Sequence, residues 1–165
     1  MSPENSKENL ELRERSVQDN LALMRRYFDL LFSKDLDSML ELIDDHIEWL
    51  VVPTGTVMSG KEMFAAGAKQ HWGATPDRVK KLVNLFADEN YACMEYITGG
   101  TLTGRVDFGS VAIPPTGLKY ELQVCFVFHL KDGKIDRVRE YFDMETVRRF
   151  PGMAEAAAKA KTQHP

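Results

Sequence analysis

Cysteine, cationic excess and long apolar runs are all scarce in this chain, and each scarcity removes a class of protein. There are two cysteines among 165 residues, Cys93 and Cys125, each inside an apolar, strand-like run. Two thiols without close spacing build neither a disulfide framework nor a zinc site. Reduced thiols in a cytoplasmic protein are therefore expected. The four histidines, His46, His71, His129 and His164, show no ligand spacing, so no metal is expected. Lys and Arg number 21 against 25 Asp and Glu, a formal net charge of −4. A phosphate-binding face needs the opposite balance, which argues against nucleic acid as a partner. No apolar run approaches the length of a membrane span, so no membrane partner is expected. The opening stretch MSPENSKENLELRERS has no apolar core of a secretory signal and reads as a flexible tail, residues 1–16.

What remains is ordinary for a globular protein: 44% hydrophobic and 28% charged residues in a length that favours one domain with a real core. That domain is expected over residues 17–150, with 151–165 as a C-terminal tail or short helix.

Residues 17–33 are helical by period, with Val17, Leu21, Met24, Phe28 and Leu31 on one stripe. SKDLDS breaks that helix. Asp35 is a good N-cap for a second one, carrying Leu36, Met39, Leu40 and Ile43 inward. HIEWLVVP reads as a strand closed by Pro53. Ser59 to Glu62 spells a capping box, opening a helix through about Trp72. Four strand-like runs follow: RVKKLVNLFA, YACMEYIT, LKYELQVCFVFHL and KIDRVREYF. DEN and KDG supply tight turns, and GGTLTGRVDFGSVAIPPTG is a long connection. DMETVRRF looks helical, and MAEAAAKAKT could form a short terminal helix. GTVMSGKE nearly spells a phosphate-binding loop, but Glu62 stands where a magnesium-binding Ser or Thr is needed and would repel phosphate.

This order predicts an α+β fold: a cone-shaped α+β barrel, its curved antiparallel sheet wrapped around the N-terminal helices. The hollow at the wide end is a natural small-molecule pocket.

RVREYFD places two carboxylates three residues apart, Glu140 and Asp143. Alternate strand residues face opposite ways. The set Tyr120, Leu122, Val124, Phe126, Phe128 and Leu130 is apolar and faces inward. In the last strand one face carries Asp136, Val138, Glu140 and Phe142. The other carries Ile135, Arg137, Arg139 and Tyr141, and its two arginines make it the poorer interior. Glu140 is then a lone acid among apolar groups, with its pKa pushed up by desolvation and able to exchange protons near neutral pH. By parity alone, an inward glutamate paired with an Arg or a Tyr hydroxyl is an equal alternative. Asp143 ends the strand ahead of METVRRF and is expected to cap that helix.

IPPTG, DGKI and REYFD, within the helix-helix-strand-helix-four-strand order, resemble the nuclear transport factor-like, ketosteroid-isomerase-like superfamily. The likeness covers about residues 17–150 and is greatest to SnoaL-like polyketide cyclases, then to limonene epoxide hydrolases. It implies that Glu140 matches the acid/base Asp of the cyclases, the second Asp of the hydrolases and a Glu of phenazine-biosynthesis members. Tyr27 matches the first-helix Tyr of ketosteroid isomerases. Val124 and Phe126 stand where cyclases carry Gln and His. Tyr96 and Thr98 stand where the hydrolases carry Arg and Asp, and Trp49 and Val51 where their water-positioning Tyr and Asn lie. Arg105-Val106-Asp107 imitates the hydrolase Arg-x-Asp by letter but falls in the long connection. His71, beside Trp72 at the end of the third helix, reads as a partly exposed surface histidine, with a place at the cavity mouth as the alternative.

The resulting expectation is a cofactor-free acid/base enzyme with Glu140, Tyr27 and Tyr96 as catalytic residues. Trp49, Val51, Trp72, Thr98, Val124, Phe126 and Val138 would bind a hydrophobic small molecule. Cyclisation, isomerisation or dehydration leads, ahead of epoxide hydrolysis and a non-catalytic binding domain. A homodimer is expected through the outer sheet face bearing Gln123, Cys125, Val127 and Arg139.

Overall fold

A computed structural model describes residues 3–108 and 111–162. Residues 1–2, 109–110 and 163–165, His164 among them, lie outside the described residues. Helix α1 runs Pro3–Ser33, so the segment expected as a tail is helical from its third residue. Between Ser6 and Ser33 the chain holds no Pro or Gly and is rich in Glu, Leu and Arg, so nothing local stops the helix. Its inward stripe is Met24, Tyr27, Phe28 and Leu31, all buried. Lys34, with φ of 63°, ends it. Asp35 then caps α2 (Leu36–Glu41), its carboxylate accepting from the Ser38 amide at 3.1 Å. Ile43, expected on that helix, instead opens strand β1 (Ile43–Val51).

A tight turn through Gly55 leads into the short β2 (Thr56–Ser59), a strand too short for alternation to mark it in the sequence. Helix α3 (Gly60–Ala74) follows with Ser59 at its N-cap, yet the Ser59 hydroxyl makes no capping bond. The expected capping box is therefore not formed. Gly60 has φ of 81°, far from helical values, and this swings the cap residue away from the first-turn amides.

The remaining elements are β3 (Val79–Ala87), β4 (Tyr91–Thr101), β5 (Val106–Phe108), β6 (Val111–Ile113), β7 (Lys119–Lys131), β8 (Lys134–Phe142), α4 (Met144–Arg148) and α5 (Met153–Thr162). The six-stranded sheet has the order β2-β1-β8-β7-β4-β3. Its pairs are antiparallel except β1 with β8, which is parallel. β5 and β6 form a separate hairpin inside the expected long connection. The cone is open, because β2 and β3 are sheet edges that do not meet. Register shifts within β1–β8, β3–β4 and β7–β8 bend the sheet over α1 and α3.

The shift in β7–β8 corrects the parity reading at one end of the last strand. Leu130 pairs with Ile135 and His129 with Arg137, so Asp136 is the extra residue. Ile135 is therefore buried, although strict alternation puts it outside. Asp136 turns instead to His129 Nδ1, at 2.5 Å. Beyond the bulge alternation holds: Val138 is buried and Arg137 and Arg139 are exposed.

Candidate active site

β8 is central, and it carries Glu140 between Val51 of β1 and Phe126 of β7. Both neighbours are apolar and buried, so the carboxyl projects from an apolar floor. Trp49, two residues before Val51 on the same face, donates its indole N–H to Glu140 Oε2 at 2.9 Å. No cation among the described residues lies within ion-pair distance of this carboxyl. Asp143 does what its position suggests. It caps α4, accepting from the Glu145 and Thr146 amides at 2.9 and 3.0 Å.

Glu140 borders two adjoining cavities. The first, about 70 Å³, is lined by Trp49, Val51, Phe64, Trp72, Tyr96 and Phe126, with Gln70 and Asp107 also on its wall. The second, about 50 Å³, is lined by Thr98, Tyr120, Val124, Phe142, Val147 and Phe150, among others. His71, Arg78, Phe108 and Glu140 border both, so the ionisable groups stand at the junction.

Most expected site residues are thus brought together. Trp49, Val51, Trp72, Tyr96 and Phe126 line the first chamber, and Thr98 and Val124 the second. Two are not. Val138 packs in the core and borders neither chamber. Tyr27 is fully buried behind the chambers, its ring edge-on to Phe128 at 5.4 Å, and its hydroxyl has no hydrogen-bond partner among the described residues. Trp72 is fixed by its indole N–H donating to the Leu31 carbonyl at 2.9 Å.

Arg78 carries no signal in the sequence, and His71 is half-buried as expected, with its ring bordering both chambers. Arg78 precedes β3, where no alternation marks a face. Gly100 makes room for it: a Cβ there would meet Arg78 Cα at 3.3 Å and Thr75 Cγ2 at 2.5 Å. Arg78 Nε donates to Thr98 Oγ1 at 2.9 Å, and its guanidinium lies 5.0 Å from the Phe32 ring centre. Asp107 sits on β5 at the mouth, held by Arg105 at 2.7 Å and by Gln70. The Arg105–Asp107 pair is therefore a feature of the hairpin and not of the middle strand.

Burial sets the electrostatics. Desolvation lifts the Glu140 carboxyl to about 7, against the opposing pull of the Trp49 bond and the Arg78 charge. Desolvation, then Arg78, pushes His71 down to about 3, so it is a neutral imidazole. Tyr96 is raised, again mainly by burial. The Arg105 bond holds Asp107 below the usual carboxylate range. One acid poised between its two states, a neutral imidazole and a fixed guanidinium around an apolar cavity can bind an organic molecule and exchange a proton with it. Among the described residues no group of three or more His, Cys, Asp or Glu is gathered to hold a metal, and no helix is long and apolar enough to cross a membrane.

An open α+β cone of N-terminal helices on a curved sheet defines the nuclear transport factor-like class of folds. Within it, this chain belongs to the SnoaL-like domain family, whose sequence signature matches residues 24–138. Solved structures agree on the fold. A candidate SnoaL-like polyketide cyclase from Jannaschia sp. CCS1 superposes with a TM-score of 0.72 at 17% identity, covering 84% of this chain and 93% of that one. A candidate polyketide cyclase from Silicibacter sp. TM1040 gives 0.63 at 27% identity over 78% and 93%. An LEH-like epoxide hydrolase of M. tuberculosis gives 0.62 at 19% identity over 89% and 98%. No curated protein matches the chain.

Proposed function

We propose that this protein is a cofactor-free enzyme in which Glu140 acts as general acid and base on a hydrophobic small molecule. The reaction class is cyclisation, isomerisation or dehydration of a polyketide- or terpenoid-like substrate, carried out in the cytoplasm by a homodimer. One observation carries the reading. Glu140 meets both chambers with a pKa of about 7, no ion-pair partner and a single neutral donor, the Trp49 indole. A structural glutamate at that depth would be matched to a cation, whereas a proton-transfer group is kept near the working pH. Tyr96, on the wall of the first chamber, adds a phenol hydroxyl to the site.

Epoxide hydrolysis is the second reading, favoured by the fold shared with the M. tuberculosis hydrolase. It needs another carboxylate to activate water beside Glu140. Asp107, the other acid on the wall, is committed to Arg105. A non-catalytic binding domain would use the same cavity without needing Glu140 to titrate.

Glu140→Gln is the test. Gln keeps the volume and can still accept from Trp49, so ligand binding should change little. Turnover should fall by roughly 10²- to 10⁴-fold, because the amide exchanges no proton. Screening polyketide- and terpenoid-like ketones, epoxides and polyenes against both forms decides the matter. Wild-type turnover that survives Glu140→Gln rules out this role.

A further inference from the structure

The second chamber is apolar except around one end, where Arg78 is the permanent cation among its described lining residues. That cation has little to neutralise it. Its Nε bonds the neutral Thr98 hydroxyl, and its guanidinium lies over Phe32 and beside the Tyr96 hydroxyl. No carboxylate among the described residues approaches it within the 4.0 Å of an ion pair. The nearby acids are engaged elsewhere: Asp77 accepts from the Thr101 amide and hydroxyl, both at 2.7 Å, and Asp107 belongs to Arg105. Glu140 borders the chamber in a mainly uncharged form below neutral pH. A half-buried guanidinium without an anion is costly, and its planar fork of donors matches a carboxylate. The Tyr120 hydroxyl, paired with Thr75 at 3.1 Å, adds a further polar atom to the same wall. The chamber, about 50 Å³, holds roughly three to five water-sized groups, enough for a head group and too little for a ring system.

We infer that the second chamber is an oxyanion subsite in which Arg78 receives a carboxylate of the substrate. The apolar body then fills the first chamber, with the reacting carbon beside Glu140. The inference rests on the reading of this cavity as the substrate site and adds the substrate's class: an organic acid with an apolar tail.

Paired probes of equal shape test it. Cinnamate and cinnamyl alcohol are titrated by calorimetry at pH 6, where the probe acid is ionised and Glu140 is mainly protonated. Cinnamate should bind roughly ten- to a hundredfold more tightly than the alcohol, the range of a charge-assisted bidentate contact. Arg78→Gln should erase that preference while leaving the alcohol's affinity in place, which also shows that the variant is folded. Arg78→Lys, which keeps the charge without the fork, should retain part of it. Glu140→Gln should keep the preference whole, so a failure of Glu140 as catalyst leaves the subsite standing and is told apart from its failure. Equal affinity for acid and alcohol in the wild type overturns the inference. So does a preference that persists in Arg78→Gln, or an Arg78→Gln variant that moves only the Glu140 titration.

Discussion

Glu140 and His71 share one cavity wall, and burial moves them in opposite senses. Unfolded, Glu140 titrates near 4.5 and folded near 7. Unfolded, His71 titrates near 6.5 and folded near 3. Glu140, with its pKa raised, favours the folded state at low pH and loses that contribution as pH climbs from 4.5 to 7. His71, with its pKa lowered, has the reverse sign: its contribution is complete above 6.5 and is lost as pH falls toward 3. Between pH 4.5 and 6.5 the two slopes cancel, because folding in effect moves one proton from His71 to Glu140. Urea melts of the wild type should therefore be nearly level across that window. Glu140→Gln removes one slope and should show stability rising with pH there. At pH 8 the same variant should be more stable than the wild type by as much as about 3 kcal/mol, since it never carries the buried charge. Lower stability of the variant at pH 8 would mean that Glu140 is half of an ion pair. A second readout is optical. Trp49 emission should titrate with a midpoint near 7 as its bonded carboxyl ionises, and Glu140→Gln should abolish the step. At this scale Glu140 and Asp143 were legible in the sequence, one from strand parity and one from the residues after it. Arg78 was not, because a residue ahead of a strand carries no periodic signal, and for His71, at the last turn of a helix, the sequence left surface and cavity mouth both open.

Elements were legible where they were long. β4, β7 and β8 have enough alternations to declare a buried face, and the Asp132–Gly133 turn, with φ of 52° and 73°, fixes the β7–β8 hairpin. β5 and β6, three residues each, have too few. The bulge at Asp136 was hidden because the parity of β8 counts correctly from its far end and fails only near the turn. The α4 cap offers an element-scale test. α4 is five residues long and brings Val147 against the second chamber, with Phe150 just beyond it. A helix so short has little cooperativity of its own. Asp143→Ala removes the acceptor for two amides and the Thr146 hydroxyl. It should cost about 1 kcal/mol in a denaturant melt. The Trp49 titration should keep its midpoint, since Asp143 borders neither chamber.

At the scale of the whole molecule, the face of the sheet turned away from α1 and α3 leaves large apolar side chains exposed among the described residues. Phe86, Cys93, Val127 and Arg139 form one row across β3, β4, β7 and β8, and Asn84, Glu95, Cys125 and Tyr141 form the next. Each row mixes apolar surface with a charge. Phe86 is 62% exposed and Tyr91 is 47% exposed, both large side chains that a lone domain would gain by covering. A two-fold axis through such a face brings each row against a copy of itself, and the mixture of apolar, cationic and acidic groups can then be self-complementary. Phe86 is the side chain to change, because it is far out on this face and borders neither chamber. Phe86→Glu adds no bulk to the core but sets two like charges against the interface. Sedimentation velocity at micromolar concentration should show a dimer for the wild type and a monomer for the variant. The Trp49 titration should stay near 7 in both, because the chambers lie on the other side of the sheet. A wild type that sediments as a monomer at high concentration would remove the dimer. It would leave the Phe86 row as open surface and the site at Glu140 complete within a single chain.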